Sequence, residues 1–175
     1  GKDIINIGFN AETPLGRALD LTTKYHIVHP DFGAFASVSA FILYLCSGAK
    51  IESVRYASGT MCRARRRELD LVYFTGWLKA AASAVWLRVT SDRALIEQLV
   101  ANNLPFACQF IKPDTGRLTS TKDAYWLVPV VEEIARTLKH GMANPELEVV
   151  PNFDFLDEIE NRPVEKYPVK TRRAA

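Results

Sequence analysis

The sequence predicts a helix-rich α+β domain with a small sheet over residues 1–144, followed by an extended C-terminal arm over residues 145–175. Three observations predict it. Long segments repeat apolar residues at i, i+3 and i+4, as Leu71, Phe74, Leu78 and Ala81 do within residues 69–90. Short β-branched runs bounded by turn residues lie between them, with Ile4-Ile5-Asn6-Ile7 the clearest. From Pro145 onward Pro151, Pro163 and Pro168 break any period, and acidic residues precede a basic end.

Residues 4–9 read as a strand and residues 13–19, with Pro14 and Gly16, as a loop or short turn. Residues 24–29 are a second short strand, closed by the turn Pro30-Asp31-Phe32-Gly33. Residues 37–46 are apolar almost all round, which predicts a buried helix with Ser37 as its N-cap and Ser47-Gly48 as its stop. A helix opening from a turn in this way offers unpaired N–H groups to anything seated there. A short helix or turn follows over residues 51–56. Helices are predicted over residues 69–90, over 93–102 after the Ser91-Asp92 cap, and over 125–140 with Pro129 in the first turns and Gly141 as stop. Residues 106–111 form a strand after Pro105, and Pro113-Asp114-Thr115-Gly116 a turn.

Composition narrows the classes of function. At 175 residues, 48% hydrophobic and 24% charged, the chain suits one domain with a real core. A formal net charge of +2 is too small to argue for nucleic acid or membrane. The longest apolar run, residues 35–46, is too short to span a bilayer. Cys46, Cys62 and Cys108 fit neither zinc nor redox spacing and read as buried thiols. With no signal sequence at the start, a soluble, cytoplasmic protein in a reducing compartment is expected. His26, His29 and His140 are scattered, so neither a metal nor a cofactor is expected.

The densest cationic cluster is Arg63, Arg65, Arg66 and Arg67, whose guanidinium groups suit phosphate; the alternative is a solvated face balanced by Glu68 and Asp70. Arg17 is a second phosphate candidate, or a surface arginine. Ser37 and Ser39 could hydrogen-bond a ribose, or cap and pack their helix. Trp77 and Trp126 could stack on a base, or belong to the core.

Several motifs run in a telling order: an N-terminal strand; the loop Pro14-Leu15-Gly16-Arg17; the lead Phe35-Ala36-Ser37-Val38-Ser39; the basic Cys62-Arg63-Ala64-Arg65-Arg66-Arg67; a helix with Trp77; Pro105-Phe106 before a strand; and Tyr125-Trp126 opening the last helix. Over residues 7–139 this order resembles the NADAR family. The resemblance implies an N-glycosidase that cleaves ribose–nitrogen bonds in ADP-ribosylated bases or related nucleotides. That reaction develops positive charge on the sugar, which a carboxylate stabilises while a cation holds phosphate. The family carries Glu after Ser/Thr-Val, where this chain has Ser39. The acids nearest Ser39 in sequence are Asp31 and Glu52, and neither is on the expected turn.

Two functions therefore stand. In the first, an N-glycosidase of an ADP-ribose-like or nucleotide substrate, Arg63 and Arg66 hold phosphate, Ser39 the sugar and Trp126 the base, and Asp123 replaces the missing acid. The pocket then lies between the Pro14 loop, the Ser37 helix and the arginine cluster. In the second, the chain is a non-catalytic binding or assembly subunit docked through residues 151–175, with Phe153, Phe155, Leu156 and Ile159 as anchors; the same four could equally pack on their own domain. Nucleic-acid association through the arginine face with Lys170, Arg172 and Arg173 is a third, weaker reading.

Overall fold

A computed structural model of the chain describes residues 3–161, so Lys170, Arg172 and Arg173 lie outside the described residues. The chain runs β1 (Ile5–Asn6), α1 (Pro14–Ala18), β2 (Ile27–His29), β3 (Gly33–Phe35), α2 (Val38–Cys46), a 3-10 helix (Glu52–Tyr56) and α3 (Thr60–Glu68). It continues with α4 (Trp77–Thr90), α5 (Arg93–Ala101), β4 (Phe106–Ala107), β5 (Gln109–Ile111), β6 (Leu118–Ser120), α6 (Ala124–Ala143) and α7 (Phe155–Glu160). The α+β class holds. The strands, however, do not form one sheet: among the described residues they make three separate pairs.

β1 and β4 pair in parallel, with Ile5 opposite Phe106. The side chain of Asn6 extends that pairing, donating to the Gln109 carbonyl at 3.0 Å and accepting from the Gln109 N–H at 2.8 Å. β2–β3 and β5–β6 are antiparallel hairpins. The first is clamped from outside by Arg55, which donates to the carbonyl of Phe32 and lies over the rings of Phe35 and Tyr44 at 4.6 and 4.4 Å.

The predicted loop at residues 13–19 contains a helix. Thr13 caps α1 by accepting from the Gly16 N–H at 3.0 Å, and Pro14 sits where its missing N–H costs nothing. Gly16 is required for packing: a Cβ there would stand 2.0 Å from the Asn6 carbonyl oxygen. The predicted helix over residues 69–90 is shorter than its periodicity suggests and starts at Trp77. Residues 70–74 lie outside any helix or strand, with the Val72 N–H donating to the Cys46 carbonyl at 2.7 Å, and Gly76 adopts a left-handed φ of 94° that interrupts the helical path. The arginine cluster proves to be a helix of its own, α3.

α2 occupies the centre and packs against α4, the 3-10 helix and α3. Its buried side chains, with Phe41 and Leu43 the largest fully enclosed, join Leu78 of α4, Leu95 and Leu99 of α5, and Trp126 and Ile134 of α6 in one core. Each such side chain contributes roughly 1.5–3 kcal/mol by leaving water. Among the described residues no helix is long and apolar enough to cross a membrane.

Residues 145–161 fold back onto this core. Leu156 is fully buried, and Phe153, Phe155 and Ile159 pack partly buried around it. Glu133 of α6 accepts from the Asn152 N–H at 3.3 Å, and Lys79 of α4 pairs with Asp154 and Asp157 at 3.2 and 2.8 Å. α6 runs past its predicted stop at Gly141 to Ala143, and Gly141 serves packing instead, since a Cβ there would meet the Val149 side chain at 2.7 Å. Of the two roles open to Phe153, Phe155, Leu156 and Ile159, the fold uses them for packing on their own domain.

Candidate functional site

The start of α2 differs from the open helix end that the sequence suggests. Ser37 is fully buried in extended conformation, φ −160°. Its Oγ accepts from the Ala40 N–H at 3.0 Å, donates to the Ala57 carbonyl at 2.8 Å and lies 3.7 Å from the Cys62 sulfur. The Ser39 N–H donates to the Leu21 carbonyl at 2.7 Å, and the Phe41 N–H returns to Ser37. These N–H groups are therefore consumed by the fold. Ser39 itself is only 2% exposed. The part of α2 that faces a cation is the other end, at Cys46, two turns or about 10 Å along the axis from Ser39.

The arginines separate by helical geometry. Consecutive residues on α3 are about 100° apart, so one helix cannot aim them all at one ligand. Arg63 and Arg67 are exposed. Arg65 is engaged by Glu68 at 2.9 Å and Ser53 at 2.8 Å. Arg66 turns inward, where its charge bears on Cys46, Tyr73 and Asp123, and its Nε is buried without a hydrogen-bond partner. Arg17 braces its own loop, donating to the carbonyls of Ala11 and Glu12 at 2.7 and 3.2 Å.

The residues that converge are Arg66, Asp123, Trp126, Trp77, Tyr73 and Tyr125. Asp123 precedes α6, and its spacing of three from Trp126 places both side chains on one face. Its carboxyl accepts the Trp126 indole N–H at 3.0 Å rather than capping the helix backbone. Trp126 is fully buried and meets Trp77 edge-on at 6.0 Å, and Trp77 meets Tyr73 at 4.7 Å. Both tryptophans are core side chains, and Trp126 has no open face for a base.

Burial raises the Asp123 carboxyl above the ordinary carboxylate value, while the Arg66 charge and the indole bond pull it back. The Tyr125 phenol is pushed up to about 12 by burial and by the negative charge of Asp123, with Tyr73 and Glu160 adding to it. Burial likewise raises Tyr73 against the pull of Arg66. The thiols of Cys46 and Cys108 are pushed up to about 12, mainly by burial, so neither is a ready nucleophile. A carboxyl raised in this way is suited to donate a proton, and the protonated phenols are hydrogen-bond donors. Among the described residues no group of three His, Cys, Asp or Glu side chains could hold a metal.

A shallow cleft of about 450 Å³ runs beside this cluster, lined by Cys108, Thr121, Lys122, Tyr125, Val128 and Pro129 among others. A second of about 450 Å³ lies between Leu104, Phe106, Arg136 and Lys139, away from it. Neither is bounded by Ser39, Arg17 or the arginines of α3. Of the residues singled out in the sequence, Asp123, Arg66 and both tryptophans fall in this cluster; Tyr73 and Tyr125 join it without a role assigned from the sequence. The Asp-x-x-Trp spacing was the available signal for Tyr125, whereas Tyr73 sits in irregular chain that the periodicity disguised. No protein-family model matches the chain, and no curated protein or solved structure is significantly similar to it.

Proposed function

We propose that the chain hydrolyses an N-glycosidic bond in an ADP-ribose-like or nucleotide substrate, with Asp123 as the acid that Ser39 cannot be. The observation that carries this reading is the buried Asp123 carboxyl, raised by burial yet set within the field of Arg66. It also has the sequence motifs that resemble the NADAR family behind it. Protonated Asp123 gives its proton to the departing nitrogen as the ribosyl C–N bond breaks. The carboxylate left behind faces the developing positive charge on the sugar, then accepts a proton from the water whose oxygen bonds to that carbon. Phosphate is assigned to Arg66, which lies outside the cleft, and the Tyr125 phenol, the member of the cluster that lines the cleft, donates to the ligand. The test is incubation with ADP-ribosylated bases and nucleotides, read by mass spectrometry. Release of free base and ribosyl product is expected, and intact substrate after prolonged incubation overturns the reading.

A second reading, a non-catalytic binding subunit, is favoured by two observations: Ser39 supplies no charge, and Asp123 already accepts from the Trp126 indole. Calorimetry that shows ADP-ribose bound while no ribosyl substrate is turned over selects it.

A further inference from the structure

α4 lacks the start signal that its sequence should carry. The residue before it is Gly76, which has no side chain to accept a hydrogen bond and sits at φ 94°. Ser, Thr, Asp or Asn would normally satisfy the first N–H groups. Here the acceptor comes from the far end of the chain. Glu160 of α7 accepts from the Gly76 N–H through Oε2 at 2.9 Å and from the Leu78 N–H through Oε1 at 3.2 Å. One carboxylate therefore grips the backbone on both sides of Trp77.

Trp77 is the first member of a contact chain that ends at the reactive carboxyl. Its ring meets Trp126, whose indole N–H bonds Asp123, and Asp123 lies in the field of Arg66. The Glu160 charge also bears on Tyr125. α7 is held to this place by buried Leu156 and by the pairing of Lys79 with Asp154 and Asp157.

We propose that Glu160 is a positioning residue, and that α7 acts as a latch which sets Trp77, Trp126 and Tyr125 in register around Asp123. Glu160 acts through the α4 backbone, so the geometry of the site depends on a segment whose composition read as a separate arm. The value of the latch for ligand binding rests on the proposed N-glycosidase site; the latch itself does not.

The test compares the full chain with Glu160→Ala and Glu160→Gln. Amide hydrogen exchange at residues 76–80 is expected to speed at least tenfold in Glu160→Ala, with α5 amides unchanged. The near-ultraviolet circular dichroism of the coupled tryptophans is expected to weaken, and affinity for ADP-ribose to fall about tenfold. Glu160→Gln keeps one carbonyl acceptor and is expected to recover part of each effect; it also serves if the alanine variant does not fold. Unchanged exchange and unchanged tryptophan dichroism in both variants overturn the latch. Faster exchange with no change in dichroism or affinity reduces Glu160 to a helix cap and overturns its positioning role. If the wild-type chain binds no ADP-ribose, the proposed function fails while exchange and dichroism still decide the latch.

Discussion

The two central helices begin in opposite ways. α2 is capped by its own neighbour: Ser37 accepts from Ala40 three residues on, and the next N–H groups find Leu21 and Ser37 itself. α4 is capped by Glu160, 84 residues from Gly76. Around α2 the polar groups described are spent on holding the helix in place. Around the start of α4 and α6 the polar groups are buried but held in tension: a raised carboxyl, a guanidinium with an unpartnered Nε, and phenols kept protonated. A local cap completes a structure, whereas a long-range arrangement of incompletely matched charges leaves something for a ligand to do. Under the proposed function, the difference puts the chemistry at the Asp123 end and stability at the Ser37 end.

The contrast can be broken by substitutions on either side. Asp123→Asn has the largest expected effect. Asn keeps an acceptor for the Trp126 indole but cannot give up a proton, so turnover of a ribosyl substrate should fall by roughly 10²–10⁴ with the fold intact. It also carries a pH signature. Burial raises the folded carboxyl above its ordinary 3.8, so the folded chain keeps a proton that the unfolded chain has released. Stability from this group is full below about 3.8 and is lost as pH rises through the raised folded value. Urea denaturation from pH 3.5 to 8 should show this loss in the wild type, and the component should be missing in Asp123→Asn. A wild-type curve that rises with pH relative to Asp123→Asn contradicts the assignment.

Arg66→Ala comes next. Loss of a charge-assisted phosphate contact should weaken ADP-ribose binding by about 10–100-fold, the equivalent of roughly 1.5–3 kcal/mol. It should also let Asp123 titrate still higher, since the Arg66 charge, with the Trp126 indole bond, pulls that carboxyl down. Equal binding by calorimetry in the variant and the wild type removes Arg66 from the site.

Ser37→Ala tests the opposite region. It removes a cap bond and a buried bond to Ala57, so a loss of about 1–2 kcal/mol in urea denaturation is expected, with ligand affinity unchanged. A fall in affinity at constant stability would place the site at α2 after all. Ser39→Ala should do least, within about 1 kcal/mol, and should leave turnover unaltered. A catalytic defect in that variant would erase the contrast between the two ends.

The helices were largely readable because their apolar faces repeat at the right period and because Ser37 and Asp92 cap locally. Part of the cluster was readable for a similar reason: Asp123, just before α6, stands three residues from Trp126 in its first turn. What escaped depended on distant partners. The start of α4 was misplaced because Leu71 and Phe74 continue a helical rhythm through chain that Cys46 and Gly76 hold out of helix. Which of four adjacent arginines would turn inward was undecidable without knowing what stood opposite α3. The role of α7 was hidden because prolines and acidic residues make it look like a tail, and nothing near Glu160 signals that its partners are Gly76 and Leu78.

The distance between Glu160 and Gly76 has a consequence for how the protein is made. On a ribosome α4 is complete long before its cap exists. At typical elongation rates of about 5–20 residues per second, the Gly76 and Leu78 N–H groups wait roughly 4–17 s for a carboxylate 84 residues downstream. Nascent chains that have not yet reached Glu160 therefore hold the start of α4 without the carboxylate that its Gly76 and Leu78 N–H groups bond in the folded chain.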